Sequence, residues 1–190
     1  MTMNKGRLIV FSAPSGCGKG TILAEILKNE KFRCSVSATT RAPREGEVDG
    51  VNYHFITRED FEKQIAENKF LEHAEYCENH YGTLVSEVDP YLEKGVNVIL
   101  EIEVQGAMKI REKRPDALFI FIAPPSIDEL TRRLKKRGTE TDDVIAKRVS
   151  KAAGEIAMAE KYDYTIVNDA LEDALSDFFA VIRAEELKTK

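Results

Sequence analysis

Arg7 to Thr21 reads RLIVFSAPSGCGKGT. Leu8-Ile9-Val10-Phe11 is an apolar run of strand length, apolar enough to be buried on both faces as the strands of a parallel sheet are. A loop with Gly16 and Gly18 follows, then Lys19. From Thr21 to Leu27 come good helix formers at helical spacing. A strand, a glycine turn and a helix start bearing a lysine form a phosphate cradle. The glycines let successive N–H groups converge, the helix start adds partial positive charge, and the ammonium reaches the outer phosphates. The bland alternative is a glycine turn with a surface lysine, and the strand before and helix after it favour the cradle.

Set on Ala13 to Gly20, the pattern G-x-x-x-x-G-K-[ST] fails at both ends. Ala13 is a small steric departure from glycine. Gly20 removes the hydroxyl that ordinarily touches Mg²⁺, so a metal would be held through nucleotide phosphates and water, by Thr21, or by acids elsewhere. Cys17 faces a helix N-terminus and a lysine in this arrangement. Either it carries an accessible thiolate or it passively fills the loop.

Outward from the cradle, Phe32 to Thr40 predicts a short strand centred on Cys34-Ser35-Val36, leading into a polar loop at 37–46. Val51 to Ile56 reads as extended. Thr57-Arg58-Glu59-Asp60 resembles a capping box opening a helix to Ala66. Phe70 to Tyr76 predicts a strand, and Asn79-His80-Tyr81-Gly82-Thr83 a turn. Helix is expected from Pro90 to Lys94, ended by Gly95. Val96 to Glu101 predicts a buried strand that delivers Glu101 and Glu103 at its C-terminal edge, where doubly wound sheets take ligands.

Val104 to Lys113 is helical, and Leu118 to Ile122 is a strand stopped at Pro124-Pro125. Ser126 to Glu129 is a second capping box, for a helix to about Lys136. After Arg137-Gly138-Thr139-Glu140-Thr141, a long helix is expected from Asp142 to Lys161, a strand from Tyr164 to Val167, and an amphipathic helix from Leu171 to Leu187. This alternation predicts an α/β fold, a doubly wound and mainly parallel five-stranded core sheet with helices on both faces. Two segments interrupt it. The expected single domain has its core at 1–36, 90–130 and 150–190, with insertions at 37–89 and about 131–149.

The chain has 190 residues, 43% hydrophobic and 32% charged, enough for one domain burying roughly 70% of its unfolded surface. No apolar run reaches the ~20 residues of a membrane span, and the N-terminal stretch lacks the apolar core of a signal peptide. Cys17, Cys34 and Cys77 have no metal spacing, which leads to an expectation of reduced thiols and a cytoplasmic location. The net charge of −5 argues against general nucleic-acid binding. It does not argue against a small anion, because the cations cluster at Lys19, Arg41 and Arg44, and from Arg132 to Arg148.

Arg41 to Phe55, RAPREGEVDGVNYHF, resembles the GMP-binding signature of guanylate kinases. Glu72, Tyr81-Gly82-Thr83, Glu101 to Gly106, Arg137 to Thr141, Tyr162-Asp163-Tyr164 and Val167-Asn168-Asp169 follow in that family's order. The resemblance runs from about Gly6 to Phe178. It implies a P-loop NTPase type of core with a GMP-binding insertion at 37–89 and a lid at about 131–149. It implies transfer of the γ-phosphoryl group of ATP to GMP with Mg²⁺, giving ADP and GDP. ATP would meet Ala13, Pro14, Ser15, Gly16, Cys17, Gly18, Lys19, Gly20 and Thr21, with Arg137, Arg148 and Asn168. Lys19, Arg41, Arg137 and Arg148 would be catalytic.

The residue chemistry is consistent with this. Arg41 and Arg44 offer planar forks for a monophosphate, and the resemblance adds the phenols of Tyr53 and Tyr81. Guanine presents two adjacent donors beside an acceptor, which a carboxylate and a hydroxyl can satisfy. The resemblance places Glu72 and Glu103 at the donor edge, with Ser37 and Thr83 as hydroxyl partners. Glu101 and Glu103 stand where the family commonly carries aspartates; Glu101 is expected on the metal side and Glu103 on the base side. The acceptor oxygen is already ionised, so no general base is needed, and His54, His73 and His80 show no triad or metal spacing. Arg132, Arg133, Lys135 and Lys136 read as a solvated helix face. Both inserted segments are expected to close over bound nucleotides to exclude water.

Two alternatives belong to other classes. One is a guanylate-kinase-like module that binds phosphorylated proteins without catalysis; the intact glycines and Lys19 argue against it. The other is a kinase for a different small phosphate acceptor. The residues leave acceptance of dGMP and the oligomeric state open.

Overall fold

The structure, a computed structural model, describes residues 5–76, 78–138 and 141–189. In chain order its elements are β1 (Leu8–Ser12), α1 (Lys19–Ile26), β2 (Phe32–Cys34), β3 (Ala38–Thr39), β4 (His54–Phe55), α2 (Arg58–Ala66), β5 (Phe70–Tyr76), β6 (Asn79–Leu84), α3 (Asp89–Glu93), β7 (Asn97–Glu101), α4 (Val104–Lys113), β8 (Leu118–Ala123), α5 (Ile127–Arg137), α6 (Asp142–Ala157), β9 (Tyr164–Val167) and α7 (Leu171–Leu187). Five strands form a sheet in the order β2-β7-β1-β8-β9, as the alternation of apolar runs and helical segments predicts. β2 with β7 and β8 with β9 are parallel pairs. The chain winds from β1 first to one side and later to the other. The loop after β1 therefore leaves the strand at which the winding reverses, the usual ligand position of such sheets.

A second sheet has the order β4-β3-β6-β5. Here the structure corrects three local expectations. The strand expected over Phe32 to Thr40 is two strands in two sheets: after Ser35 N donates to Ile99 O at 2.9 Å, the chain leaves β7 and pairs again only at Ala38. The extended segment expected at Val51 to Ile56 is only His54–Phe55, because a turn precedes it. The turn expected at 79–83 is strand β6, paired antiparallel with β5; the reversal falls just before it, where Glu78 has φ 62°. In addition, the long helix stops at Ala157, and Met158–Lys161 is a 3₁₀ turn.

Both expected capping residues are in place. Thr57 Oγ1 accepts from Asp60 N at 3.1 Å, and Ser126 Oγ from Glu129 N at 3.0 Å, each worth about 1 kcal/mol.

The chain divides into two compact units: Met1–Val10 with Glu30–Leu118, and Phe11–Asn29 with Phe119–Lys190. In the first, Phe61 stacks on Phe70 at 4.4 Å between ring centroids, with Ala38 in the same buried cluster. Glu87 accepts from Arg33 Nη2 at 2.6 Å and contacts His54 Nε2 at 3.1 Å, fastening β4 to β2. In the second, Phe178 of α7 meets Phe11 edge-on at 5.9 Å. Leu130, Leu134, Ile145 and Ala152 bury Cys17 among them. The core therefore reaches the glycine loop itself.

Candidate active site

The first unit holds a cavity of about 320 Å³ whose walls include Ser37, Tyr53, Glu72, Tyr81, Glu101 and Glu103. Glu72 is only 6% exposed. It is directly opposite Thr83 in the β5–β6 register, just after an irregularity between Phe70 and Glu72. One extra residue at such a point shifts which side chains share a face, a common device beside functional sites. Thr83 Oγ1 donates to Glu72 Oε1 at 2.9 Å. Burial pushes the Glu72 carboxyl above its ordinary value, and the Thr83 hydrogen bond and Lys109 pull against that shift. Lys109 is tethered to β5 through a 2.6 Å hydrogen bond to His73 O.

α4 approaches the same carboxylate. A Cβ on Gly106 would sit 3.3 Å from Glu72 Oε2, so the missing side chain leaves room for that oxygen. The result is a buried carboxylate with one oxygen tied down, lining a cavity. Such a group accepts from a ligand that presents N–H donors.

The 41–55 loop is built by its own side chains. Arg41 Nη2 donates to Glu47 Oε1 at 2.9 Å and its Nη1 to Ala42 O at 2.8 Å. The other Glu47 oxygen accepts from Arg44 N at 2.7 Å. Hydrogen bonding from Arg41, then from Arg44 N, holds the Glu47 carboxyl below its ordinary range. Asn52 Oδ1 accepts from Val48 N and Asp49 Oδ1 from Phe55 N, closing the turn that replaces the expected strand. Arg41 then lies with its guanidinium carbon 5.4 Å from the Tyr53 ring centre, and Tyr53 and Tyr81 are 6.0 Å apart. Burial, then the nearness of Tyr81, raises the Tyr53 phenol pKa, so it remains a hydrogen-bond donor at neutral pH. The Arg44 side chain is exposed.

In the second unit, Gly16 and Gly18 adopt φ of +96° and +80°, a left-handed region that side chains resist. Neighbours forbid a side chain as well. A Cβ on Gly16 would lie 2.8 Å from Leu134 Cδ2, and one on Gly18 2.6 Å from Asn168 Nδ2. α1 starts at Lys19 with Gly18 as its cap and no side-chain cap hydrogen bond, the arrangement that leaves a helix start to receive an anion. Arg148 Nη2 donates to Ser15 Oγ, putting a second cation on the loop. Gly20 has no steric cause, since nothing lies within 4 Å of a Cβ there. Cys17 is buried and its thiol is pushed up to about 12, chiefly by burial. It is a loop filler, not an accessible thiolate.

The expected residues thus gather in two sets. Ser37, Tyr53, Glu72, Tyr81, Glu101 and Glu103 line the cavity, with Thr83 reached through Glu72 and Arg41 beside Tyr53. Ala13 to Thr21, Arg148 and Asn168 belong to the loop set. The Arg137 side chain, Thr139, Glu140 and Cys77 lie outside the described residues. Among the described residues no group of three or more His, Cys, Asp or Glu is placed to hold a metal. No helix among them is long and apolar enough to cross a membrane.

Sequence reasoning missed Glu47, Gly106 and Arg133. Gly106 left a signal as a glycine inside an otherwise good helix, and Glu47 stands inside the Arg41–Phe55 stretch; Arg133 left none. Arg133 is not on a solvated face: its Nη1 donates to Asn168 O at 2.8 Å.

A family model described as guanylate kinase matches residues 5–185. A guanylate kinase of Clostridium perfringens (strain SM101 / Type A) is 53% identical over 186 residues, 97% of this chain and 86% of that protein. One of Bacillus subtilis (strain 168) is also 53% identical over 186 residues, 97% of this chain and 91% of its own. Among solved structures, the crystal structure of guanylate kinase from Anaplasma phagocytophilum superposes with a TM-score of 0.77 at 36% identity, covering 98% of this chain and 89% of that one. A match this long, over a chain that keeps both the buried carboxylate and the glycine loop, makes this protein a member of the guanylate kinase family.

Proposed function

We propose that the chain transfers the γ-phosphoryl group of ATP to GMP, giving ADP and GDP. The observation that carries this reading is Glu72, a buried carboxylate lining a cavity, with Thr83 on one oxygen. Guanine offers N1–H and its 2-amino group to such an acceptor. Adenine would present a lone pair instead and leave the carboxylate unmatched, the kind of site that discriminates by ~10⁴–10⁵. Ser37 and Glu103 complete the base contacts. Arg41, Arg44, Tyr53 and Tyr81 receive the GMP phosphate.

Lys19, Arg148 and Arg137 neutralise charge on the transferring group, and the loop N–H groups hold the donor phosphates. In-line transfer needs placement more than proton chemistry, because the acceptor oxygen is already ionised. Mg²⁺ fits as a companion of the nucleotide: with no acid cage among the described residues, phosphate oxygens and waters would hold it, and Thr21 and Glu101 are the side chains that would bind or orient those waters. When bound it supplies charge neutralisation on the β- and γ-oxygens.

The test is a coupled ADP-release assay over GMP, dGMP, AMP, CMP and UMP with ATP, with Lys19→Met as the control. Turnover with GMP at least a thousandfold above AMP, abolished in Lys19→Met, is the expected result. Binding of GMP without turnover would leave a non-catalytic module, and preference for another acceptor would overturn the base assignment.

A further inference from the structure

Three segments of the first unit meet at the carboxylate of Glu87. This residue closes the 3₁₀ turn Val85–Glu87 between β6 and α3. One of its oxygens accepts from Arg33 Nη2 at 2.6 Å, and the other lies 3.1 Å from His54 Nε2. A carboxylate only accepts, so the ring carries a proton on Nε2 and donates it. Arg33 is fixed in turn. Its backbone is in register with Val98 of β7, and its guanidinium carbon lies 3.5 Å from the Tyr91 ring centre. The Glu87 side chain is only 16% exposed, which leaves Arg33 and His54 to replace most of its water.

β4 needs such an anchor. It is the outermost strand of its sheet, two residues long, and its neighbour there is β3. A ladder that short holds little by itself. His54 N donates to Ser37 O at 2.9 Å, and Tyr53 precedes it in the chain. Tyr53 and Phe55 lie on one side of the segment, with the Arg41 guanidinium carbon 5.4 and 5.8 Å from their ring centres. Alternation puts the His54 side chain on the other side, where Glu87 receives it. Ser37 and Tyr53 both line the cavity. One imidazole therefore stands behind two of its walls.

We propose that His54 is a positioning residue for the GMP acceptor, held by Glu87 and Arg33 and acting through Tyr53 and Ser37. This rests on the reading of the cavity as the GMP site. The imidazole works by its donated N–H. A phenyl ring would fill the same space and lose the contact, whereas a glutamine can present an amide N–H at similar reach.

Steady-state kinetics on the full chain, with GMP and ATP varied in turn, would compare wild type, His54→Phe, His54→Gln, Glu87→Ala and Arg33→Met, with melting temperatures alongside. His54→Phe, Glu87→Ala and Arg33→Met should each raise the GMP KM about tenfold, the effect of one net hydrogen bond. The ATP KM should stay within about twofold of wild type, as expected for groups that do not touch the donor site. His54→Gln should recover most of the loss. In a Glu87→Ala background His54→Phe should add nothing, since both break one contact. In a Ser37→Ala, Tyr53→Phe background it should again add little, because the two groups it aims are gone.

A normal GMP KM in His54→Phe beside an impaired His54→Gln would reduce the imidazole to packing and overturn the inference. An equal rise in the ATP KM would do so too, by showing general loosening. A normal GMP KM in Arg33→Met would refute the hold through Arg33. Should Glu87→Ala or Arg33→Met fail to fold, the two His54 variants decide alone. Failure of the wild type to use GMP would instead defeat the reading of the cavity, whatever His54 does.

Discussion

The cavity around Glu72 is made of side chains, whereas the loop around Gly16 and Gly18 is made of backbone. In the first, identity matters atom by atom: a carboxylate, a hydroxyl and two phenols are set by strand register and by one missing Cβ on α4. In the second, the grip comes from backbone N–H groups, and the strictest demand is that no side chain be attached to Gly16 or Gly18. Under the proposed function, the cavity is the part that would tell one base from another, and the loop the part that would grip any triphosphate. Substitutions should divide along the same line, with cavity changes altering which acceptor is used and loop changes altering how well a donor is held.

The largest effect is expected at Gly18. Gly18→Ala places a Cβ 2.6 Å from Asn168 Nδ2 at a φ of +80°, straining the loop backbone and crowding the group that donates to Cys17 O. Removing one such preorganised donor costs about two to three orders of magnitude, and kcat/KM for ATP should fall by that much. GMP affinity should stay within twofold. Gly20→Ser is the matched control, since its Cβ meets nothing; it should change the ATP and Mg²⁺ dependence less than twofold. Similar damage from both would mean that the loop is sensitive to side chains in general.

Glu72→Gln comes next. It keeps the shape but swaps one acceptor oxygen for an NH₂ facing guanine donors, so the GMP KM should rise on the order of a hundredfold, with the ATP KM unchanged. Stability should move the other way. Burial raises the Glu72 pKa above its ordinary 4.5, so the folded protein keeps a proton that the unfolded chain gives up. The stabilising contribution of the protonated carboxyl is fully present below pH 4.5 and is lost as pH rises through the shifted value. Melting of Glu72→Gln and wild type should therefore coincide below that pH, and the variant should melt higher above it. A constant difference at all pH values would show that the carboxyl carries no burial penalty.

How much of this was legible in the sequence follows the same division. The glycine loop is local: strand, turn and helix are contiguous, and RLIVFSAPSGCGKGT announces all three. The core strands are apolar runs and were equally plain. β6 was not. Asn79, Gly82 and their polar neighbours read as a turn, and only pairing with β5 makes them a strand that sets Thr83 against Glu72. β3 and β4, two residues each, are too short to leave any periodicity. Arg133 was indistinguishable from Arg132 beside it, because its partners lie 35 and 36 positions away at Asn168 and Asp169. Expected residues could be named from the family resemblance, but the hydrogen bonds that aim them had no local signature.

Gly106 offers the smallest and sharpest test of the cavity. It is in the first turn of α4, where alanine is the better helix former by about 1 kcal/mol. If the glycine were there for the helix alone, Gly106→Ala would stabilise the protein and leave activity untouched. The added Cβ, however, falls 3.3 Å from Glu72 Oε2, closer than most Cβ contacts, and the carboxylate has little room to retreat. Thr83 holds its other oxygen at 2.9 Å and burial encloses the rest. A shift of a few tenths of an ångström should leave the fold intact and misalign the acceptor. The GMP KM is expected to rise several-fold with the ATP KM unmoved, while the melting temperature does not fall. In a Glu72→Gln background the same substitution should add little to the GMP KM, because the contact it disturbs has already been altered. A full, multiplicative effect in that background would detach Gly106 from Glu72 and leave the cavity defined by its strands alone.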